Sequence, residues 1–314
     1  MRIAIAQTCP VSAQPGVYSG AEANVDDLFI TLRRNLEDAE QIVKDAVQRH
    51  QADVVCFPEY FLQGILNEGR QYLSITSQWL DTHIAGMARR YSVAITGTIV
   101  HGACEGLAIP PQRDPFEPAS VEGSSSARQE WVDYLGQASE ALANDSNFRL
   151  VNEAFYFDDK GEKRGRYTKK NLWHPEREYL EPGTIDEPVF TTPWGKAGFL
   201  ICWDLSHPAA AQSLADQGAD IIFAPAYWLG IDSEPMVSRY TSNPDYELNL
   251  LQSLCSARAF ETETVLIHTN PGGSRSEGFM GGSGVWAPLI GKVGGYDEGS
   301  GDVGAVGVKI RHLG

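Results

Sequence analysis

Strand-sized apolar runs and amphipathic helical stretches alternate along this chain from end to end, and that alternation restricts it to the α/β class. Met1-Arg2-Ile3-Ala4-Ile5-Ala6-Gln7 alternates as a first strand. Residues 25–49 place Leu28, Leu32, Leu36, Ala39, Ile42, Val43 and Ala46 at helical spacing on one face. A strand ending at Phe57, a helix over 71–91 and a strand over 92–99 follow. Residues 148–157, the turn Asp158-Asp159-Lys160-Gly161 and a run to Thr168 read as a hairpin. The Pro193-Trp194-Gly195 turn then leads into a strand toward Cys202, followed by a helix over 208–217 and a buried strand over 219–225. A helix over 246–260 is expected to bury Leu250, Leu254, Ala257 and Phe260. Runs at Val265–Thr269, Gly284–Ala287 and 304–310 complete the strands.

The alternation is interrupted only at 101–147. Four prolines (Pro110, Pro111, Pro115, Pro118) and Gly123-Ser124-Ser125-Ser126 stand there, with eight acidic residues against two basic ones. The stretch is expected to be a surface insertion with one helix near 129–143, acting either as a lid or as decoration. Because βα alternation resumes beyond it, residues 1–314 are expected to form one domain.

Composition excludes several function classes. At 314 residues and 42% hydrophobic the chain can bury a sizeable core. No apolar run approaches a membrane span, and the N-terminus lacks the pattern of a signal peptide, so a cytoplasmic protein is expected. A net charge of −16 disfavours nucleic acid and anionic membranes as partners. The five cysteines are odd in number and widely spaced, which argues against a disulfide framework or a structural zinc site. The seven histidines contain no metal-binding H-x-x-x-H pair with a nearby acid, so no metal is expected. Gly299-Ser300-Gly301-Asp302-Val303-Gly304 fits a dinucleotide fingerprint but lies too near the C-terminus for a following helix, and reads as a turn.

Three segments end abruptly on reactive side chains. Phe199-Leu200-Ile201-Cys202-Trp203-Asp204 delivers a thiol, residues 53–59 deliver the Glu59 carboxylate, and residues 163–169 deliver the Lys169 amine. Strand ends open onto the sheet edge, where α/β proteins hold ligands. A thiol attacks a carbonyl or nitrile carbon only as the thiolate, so it needs a base. The oxyanion that forms needs a fixed positive charge or N–H donors. Glu59, Lys169 and the Trp203 backbone N–H meet those needs without a histidine. Taken singly, a buried cysteine is ordinarily inert, Glu59 reads as a cap after Pro58, and one of Lys169 and Lys170 reads as a solvated surface residue. His207 lies near Cys202 in sequence, but a residue at a helix start is ordinarily a surface or capping group rather than a Cys–His partner.

In the chain order glutamate, lysine, second glutamate, cysteine, the segments resemble the nitrilase, or carbon–nitrogen hydrolase, superfamily, over nearly the whole chain. Phe57-Pro58-Glu59 resembles the family's glutamate base motif, Tyr167-Thr168-Lys169-Lys170-Asn171-Leu172 its lysine motif, and Cys202-Trp203-Asp204 its nucleophile motif. Residues 176–183 resemble the segment of the second glutamate, with Glu176 the better match and Glu178 the runner-up. The resemblance implies a four-layer α-β-β-α sandwich, a homodimer or higher homo-oligomer, and no metal or organic cofactor. It implies a hydrolase of non-peptide C–N bonds, taking a small amide, carbamoyl or nitrile substrate through a Cys202 thioester or thioimidate. Leu205-Ser206-His207-Pro208-Ala209 departs from the family pattern after the thiol and keeps only its proline. Asp204 is more like the amidase and carbamoylase branches than the nitrilases proper, which commonly carry glutamate there. Trp203, Tyr227 and Trp228 are candidates to line the substrate pocket, with Trp286 read as core. The alternatives are a nitrilase proper, or a non-catalytic binding or regulatory protein on the same fold.

Overall fold

The computed structural model describes residues 1–13, 25–67, 70–103, 110–115, 126–144, 149–296 and 307–313. Its elements in chain order are β1 (Arg2–Gln7), α1 (Val25–His50), β2 (Val54–Cys56), α2 (Ser77–Tyr91), β3 (Ala94–Ala103), α3 (Ala127–Asn144), β4 (Arg149–Phe157) and β5 (Lys163–Thr168). There follow β6 (Phe190–Thr192), β7 (Gly195–Phe199), α4 (Pro208–Asp216), β8 (Ile221–Pro225), α5 (Tyr246–Thr262), β9 (Val265–Thr269), β10 (Gly284–Ala287), β11 (Gly291–Gly295) and β12 (Gly307–His312). The strands form two six-stranded sheets, in the orders β12-β1-β2-β3-β4-β5 and β11-β10-β9-β8-β7-β6. Each has a parallel centre, β1-β2-β3 in one and β7-β8-β9 in the other, with antiparallel strands outside it.

The layering follows from alternation within single strands. In β1, Ala4 and Ala6 belong to one apolar cluster, Ile3 and Ile5 to the other. In the same way β4 sends Phe155 and Phe157 to the first cluster, and Ala154 and Tyr156 to the second. A strand buried on both faces must alternate in this way, because successive side chains point to opposite sides. The first cluster packs the sheet of β1–β5 against α1, α2 and α3 through Phe29, Leu32, Leu36, Ile84, Met87 and Trp131. The second packs the two sheets together and seats α4 and α5 through Ala211, Leu214, Leu251 and Cys255. The result is the expected four-layer α-β-β-α sandwich. Helix α1 stops where Gln51 takes a left-handed φ of 53°. Gln51 N–H then donates to Val47 O and Ala52 N–H to Ala46 O, turning the chain into β2.

Two local expectations are corrected. The stretch 71–91 is a 3₁₀ segment, Gln71–Thr76, followed by α2. Helix α5 buries Leu248, Leu251, Cys255, Arg258 and Ala259, while Phe260 is 64% exposed. Apolar residues stand on both faces of α5, so periodicity does not choose between them. The buried face also carries Arg258, whose Nε donates to Leu205 O at 3.0 Å. Within 101–147, α3 is anchored by Trp131, which packs edge-on against Phe29 and Trp79 and donates Nε1–H to Arg113 O. The glycine-rich 299–304 stretch lies outside the described residues. No described helix is long and apolar enough to cross a membrane.

Candidate active site

The carboxyl ends of β2, β5, β7 and β8 converge. Beyond β2, Phe57 N–H still pairs with Thr96 O, and Glu59 N–H reaches across to Ala226 O at 3.2 Å, just past β8 in the other sheet. Beyond β5, Lys169 N–H donates to Asn152 O and Lys169 O accepts from Gly183 N–H. A Cβ on Gly183 would stand 2.4 Å from Thr168 O, so only glycine permits this approach. Beyond β7, Leu200 N–H keeps its bond to Phe223 O, and Cys202 then turns to a left-handed φ of 48° at the start of a 3₁₀ segment, Cys202–Ser206. That conformation costs a non-glycine residue about 1–2 kcal/mol, so its surroundings must hold it.

Asp204 does the holding. Its fully buried carboxylate accepts Ile201 N–H (2.9 Å), Tyr167 Oη–H (2.9 Å), Asn171 N–H (3.0 Å) and an Asn171 Nδ2–H (2.7 Å). One side chain thus braces the Cys202 turn and ties it to the segment that carries Lys169.

Lys169 is 0% exposed, and its Nζ donates to Glu59 Oε1 at 2.8 Å and to the Glu176 carboxylate at 2.7 Å. Glu59, also 0% exposed, accepts in addition an Asn152 Nδ2–H (2.7 Å) at Oε1 and Tyr227 N–H (2.8 Å) at Oε2. Glu176 accepts Tyr60 Oη–H at 2.5 Å and Trp173 N–H at 2.8 Å. Glu178 is exposed, so of the two candidate second glutamates it is Glu176 that meets Lys169. Lys170 pairs with Asp186 at the surface, and His207 Nδ1 lies 3.0 Å from Trp203 O, engaged away from the thiol.

The charges act on one another strongly. Burial lifts the Glu59 carboxyl to about 7; the Lys169 charge opposes the shift and the Glu176 charge adds to it. Burial alone would lower Lys169, but the two carboxylates outweigh it and hold the ammonium well above its ordinary value. The Cys202 thiol is raised by burial first and then by the Glu59 charge, while Lys169 and the Tyr227 N–H favour the thiolate. Sulfur, amine and both carboxylates therefore share one small electrostatic unit.

Of the candidate pocket residues, Trp203 is half-buried and its ring lies 5.5 Å from that of Trp228. Trp228 is 2% exposed, and Tyr227 packs edge-on against Tyr60 and Phe279. Trp286 is core, beside His268. Sequence reasoning missed Tyr60, Asn152 and Asp204 as positioning groups. Tyr60 and Asp204 adjoin motif residues, a signal within reach; Asn152 is a lone polar residue in an apolar strand whose partner only the fold reveals. Among the described residues no group of three His, Cys, Asp or Glu is gathered to hold a metal ion.

The sequence model of the carbon–nitrogen hydrolase family matches residues 2–109 and 122–310. The chain belongs to the carbon–nitrogen hydrolase family. Residues 110–121, inside the proline-rich stretch, fall outside the family match. The chain is 32% identical over 145 residues to a Schizosaccharomyces pombe protein named as a probable nitrilase, covering 46% of this chain and 47% of that one. It is 36% identical over 99 residues to the N-carbamoylputrescine amidase of Solanum lycopersicum, covering 29% and 32% respectively. The chain thus spans less than half the length of these curated relatives. A solved glutamine-for-glutamate mutant of the amidase from Nesterenkonia sp. AN1, with acrylamide added at its active-site cysteine, shares the fold. It matches with a TM-score of 0.64 at 19% identity, over 100% of this chain and 93% of that one.

Proposed function

We propose that this protein hydrolyses non-peptide C–N bonds, converting a small amide or N-carbamoyl compound to an acid and ammonia or an amine. The observation that carries it is the enclosure of the Lys169 ammonium between Glu59 and Glu176, beside a thiol held at a strained backbone position. Glu59 takes the Cys202 proton, and the sulfur attacks the carbonyl carbon. As the C–S bond forms, the carbonyl π pair moves to oxygen, where Lys169 and the Trp203 backbone N–H stabilise it. The oxyanion collapses, the C–N bond breaks, and Glu59 gives its proton to the departing nitrogen. Water then attacks the thioester with Glu59 again as base, the C–S bond breaks, and the thiolate is reprotonated as the acid leaves. Glu176 holds Lys169 in place. Trp203, Tyr227 and Trp228 are the proposed pocket walls.

Membership of the carbon–nitrogen hydrolase family, and relatives named as amidases, support this chemistry. A panel of amides, N-carbamoyl compounds and nitriles, read by ammonia release, tests it. Turnover is expected on the first two classes and is expected to vanish in Cys202→Ala. Turnover at the wild-type rate in that variant would refute the mechanism, and turnover of nitriles alone would reassign the enzyme as a nitrilase. The same proposal includes a homo-oligomer, supported by the apolar outer face of α5, where Phe260 is exposed. Sedimentation of the wild type and Phe260→Glu tests that part. A cytoplasmic location, where the thiol stays reduced, completes the proposal; Cys9, Cys56, Cys202 and Cys255 are all free.

A further inference from the structure

Behind the Cys202 turn lies a cleft of about 340 Å³ that the proposed reaction does not use. Its floor is apolar, from Phe199, Leu200 and Leu214. Helix α4 borders it with three small side chains, Ala209, Ala210 and Ser213, which leave the space open. The facing wall is the end of β5 and the segment beyond it, with Tyr167, Lys170 and Asn171. Cys202, Glu59, Lys169 and Glu176 are not among the lining residues, so the cleft is distinct from the catalytic cluster. His207 and Ala209, which both line it, belong to the stretch 205–209 where the chain departs from the family pattern.

The rim is built and its charges are matched. Lys170 pairs with Asp186, and Arg166 with Glu187 at 3.7 Å. Gln217 uses both ends of its amide, accepting Val189 N–H and donating to Ser213 O, each at 3.2 Å. The polar atoms left over are neutral. His207 Nδ1 lies 3.0 Å from Trp203 O; a carbonyl oxygen only accepts, so Nδ1 carries the proton and Nε2 of the neutral ring is left an acceptor. Asn171 gives its N–H and an Nδ2–H to Asp204, and its Oδ1 takes no hydrogen bond among the described residues. Ser213 Oγ likewise has no partner among them. Apolar walls joined to a few polar groups, at this volume, are the makings of a small-molecule site. Aromatic surface from Tyr167 and Phe199, two neutral acceptors and a hydroxyl suit an uncharged ring that carries a donor.

The wall of the cleft is also the brace of the nucleophile turn. Tyr167 and Asn171 donate to Asp204, and His207 donates to the Trp203 carbonyl, one residue past Cys202. A ligand fitted to these residues as they stand binds best when the turn is formed, and so favours the left-handed Cys202. We propose that the cleft between α4 and the Lys170–Asn171 segment is a second ligand site, for a small uncharged ring compound bearing an O–H or N–H donor, whose occupant steadies the Cys202 turn from behind. Only the effect on turnover rests on the hydrolase function proposed above.

An NMR titration compares phenol with anisole, which lacks the donor, and with benzoate, which is charged. Phenol is expected to bind about tenfold more tightly than anisole, the scale of one or two hydrogen bonds, and more tightly than benzoate. Ser213→Trp, which fills the cleft, should weaken phenol by about tenfold or more, and Tyr227→Ala, in the proposed acyl pocket, by less than about twofold. Should Ser213→Trp fail to fold, Ala209→Phe, at an exposed position on the same wall, blocks the cleft instead. No binding, equal binding of phenol and anisole, or tightest binding of benzoate overturns the site. Loss in Tyr227→Ala with retention in the cleft variant places phenol in the acyl pocket and overturns it too. At saturating phenol, kcat is expected to rise by about fivefold with KM little changed, an effect lost in the cleft variant. A kcat unmoved while the cleft is occupied refutes the coupling to the turn. If no amide or N-carbamoyl compound is turned over, the hydrolase function falls, and the coupling is read from the rate at which iodoacetamide alkylates Cys202. A rate changed by phenol in the wild type but not in the cleft variant supports the proposal; a rate unchanged in both refutes it.

Discussion

Lys169 sets the terms for every other group at the residue scale. Its ammonium is sealed from water and satisfied by two carboxylates, so removing it would strip the oxyanion of the proposed mechanism of its cation and leave Glu59 and Glu176 facing each other unpaired. Lys169→Met is therefore expected to lose at least about 100-fold in kcat. It should also cost about 3–5 kcal/mol of stability by denaturant unfolding, the scale of an orphaned buried charge. In the proposed mechanism Glu59 is the base, a role it can fill only when ionised, and burial raises its pKa to about 7. Activity should therefore be present above that value and fall as pH drops through it. A pH profile of kcat/KM with its acid limb near 7 is expected; a limb near the ordinary carboxylate range would remove Glu59 from the role. These groups were legible in the sequence because each ends a strand-like run in a fixed order. Asn152 was not, since nothing beside it in sequence announces that its amide will meet a carboxylate 93 residues away.

At the scale of the element, the decisive piece is the turn from β7 into Cys202–Ser206. Its left-handed cysteine is held by the interlocked Ile201 and Asp204 and by the Tyr167–Asn171 segment beyond β5. In Asp204→Asn a donor amide faces donors that need an acceptor. The change should cost about 1–3 kcal/mol and lower kcat more than it changes KM, as expected of a group that positions the proposed nucleophile without touching substrate. Unfolding curves and steady-state kinetics on the variant check both halves. Helix α1 was readable because its apolar stripe is single. The buried face of α5 was not, because apolar residues stand on both faces and a buried arginine occupies the true one.

For the whole molecule, the site exists because two sheets present their carboxyl ends to one another. The contact between the sheets is close. A Cβ on Gly165 of β5 would lie 2.4 Å from the ring of Phe190 on β6. Gly165→Ala should thus destabilise the protein by about 1–3 kcal/mol, measured by thermal or denaturant unfolding, through overpacking far from the chemistry. The class of fold could be read from alternation along the chain, since strands buried on both faces leave apolar runs. Which strands share a sheet is set by long-range pairing, which leaves no local mark; β12, at the end of the chain, pairs with β1. That architecture serves one central claim, an acyl group carried on Cys202. Rapid quenching of the enzyme during turnover of an amide or N-carbamoyl substrate, with mass spectrometry of the peptide that contains residue 202, tests it directly. The predicted result is a mass gain on Cys202 equal to the acyl group, absent in Cys202→Ala; an acyl group found on another residue, or full turnover with Cys202 replaced, would contradict it.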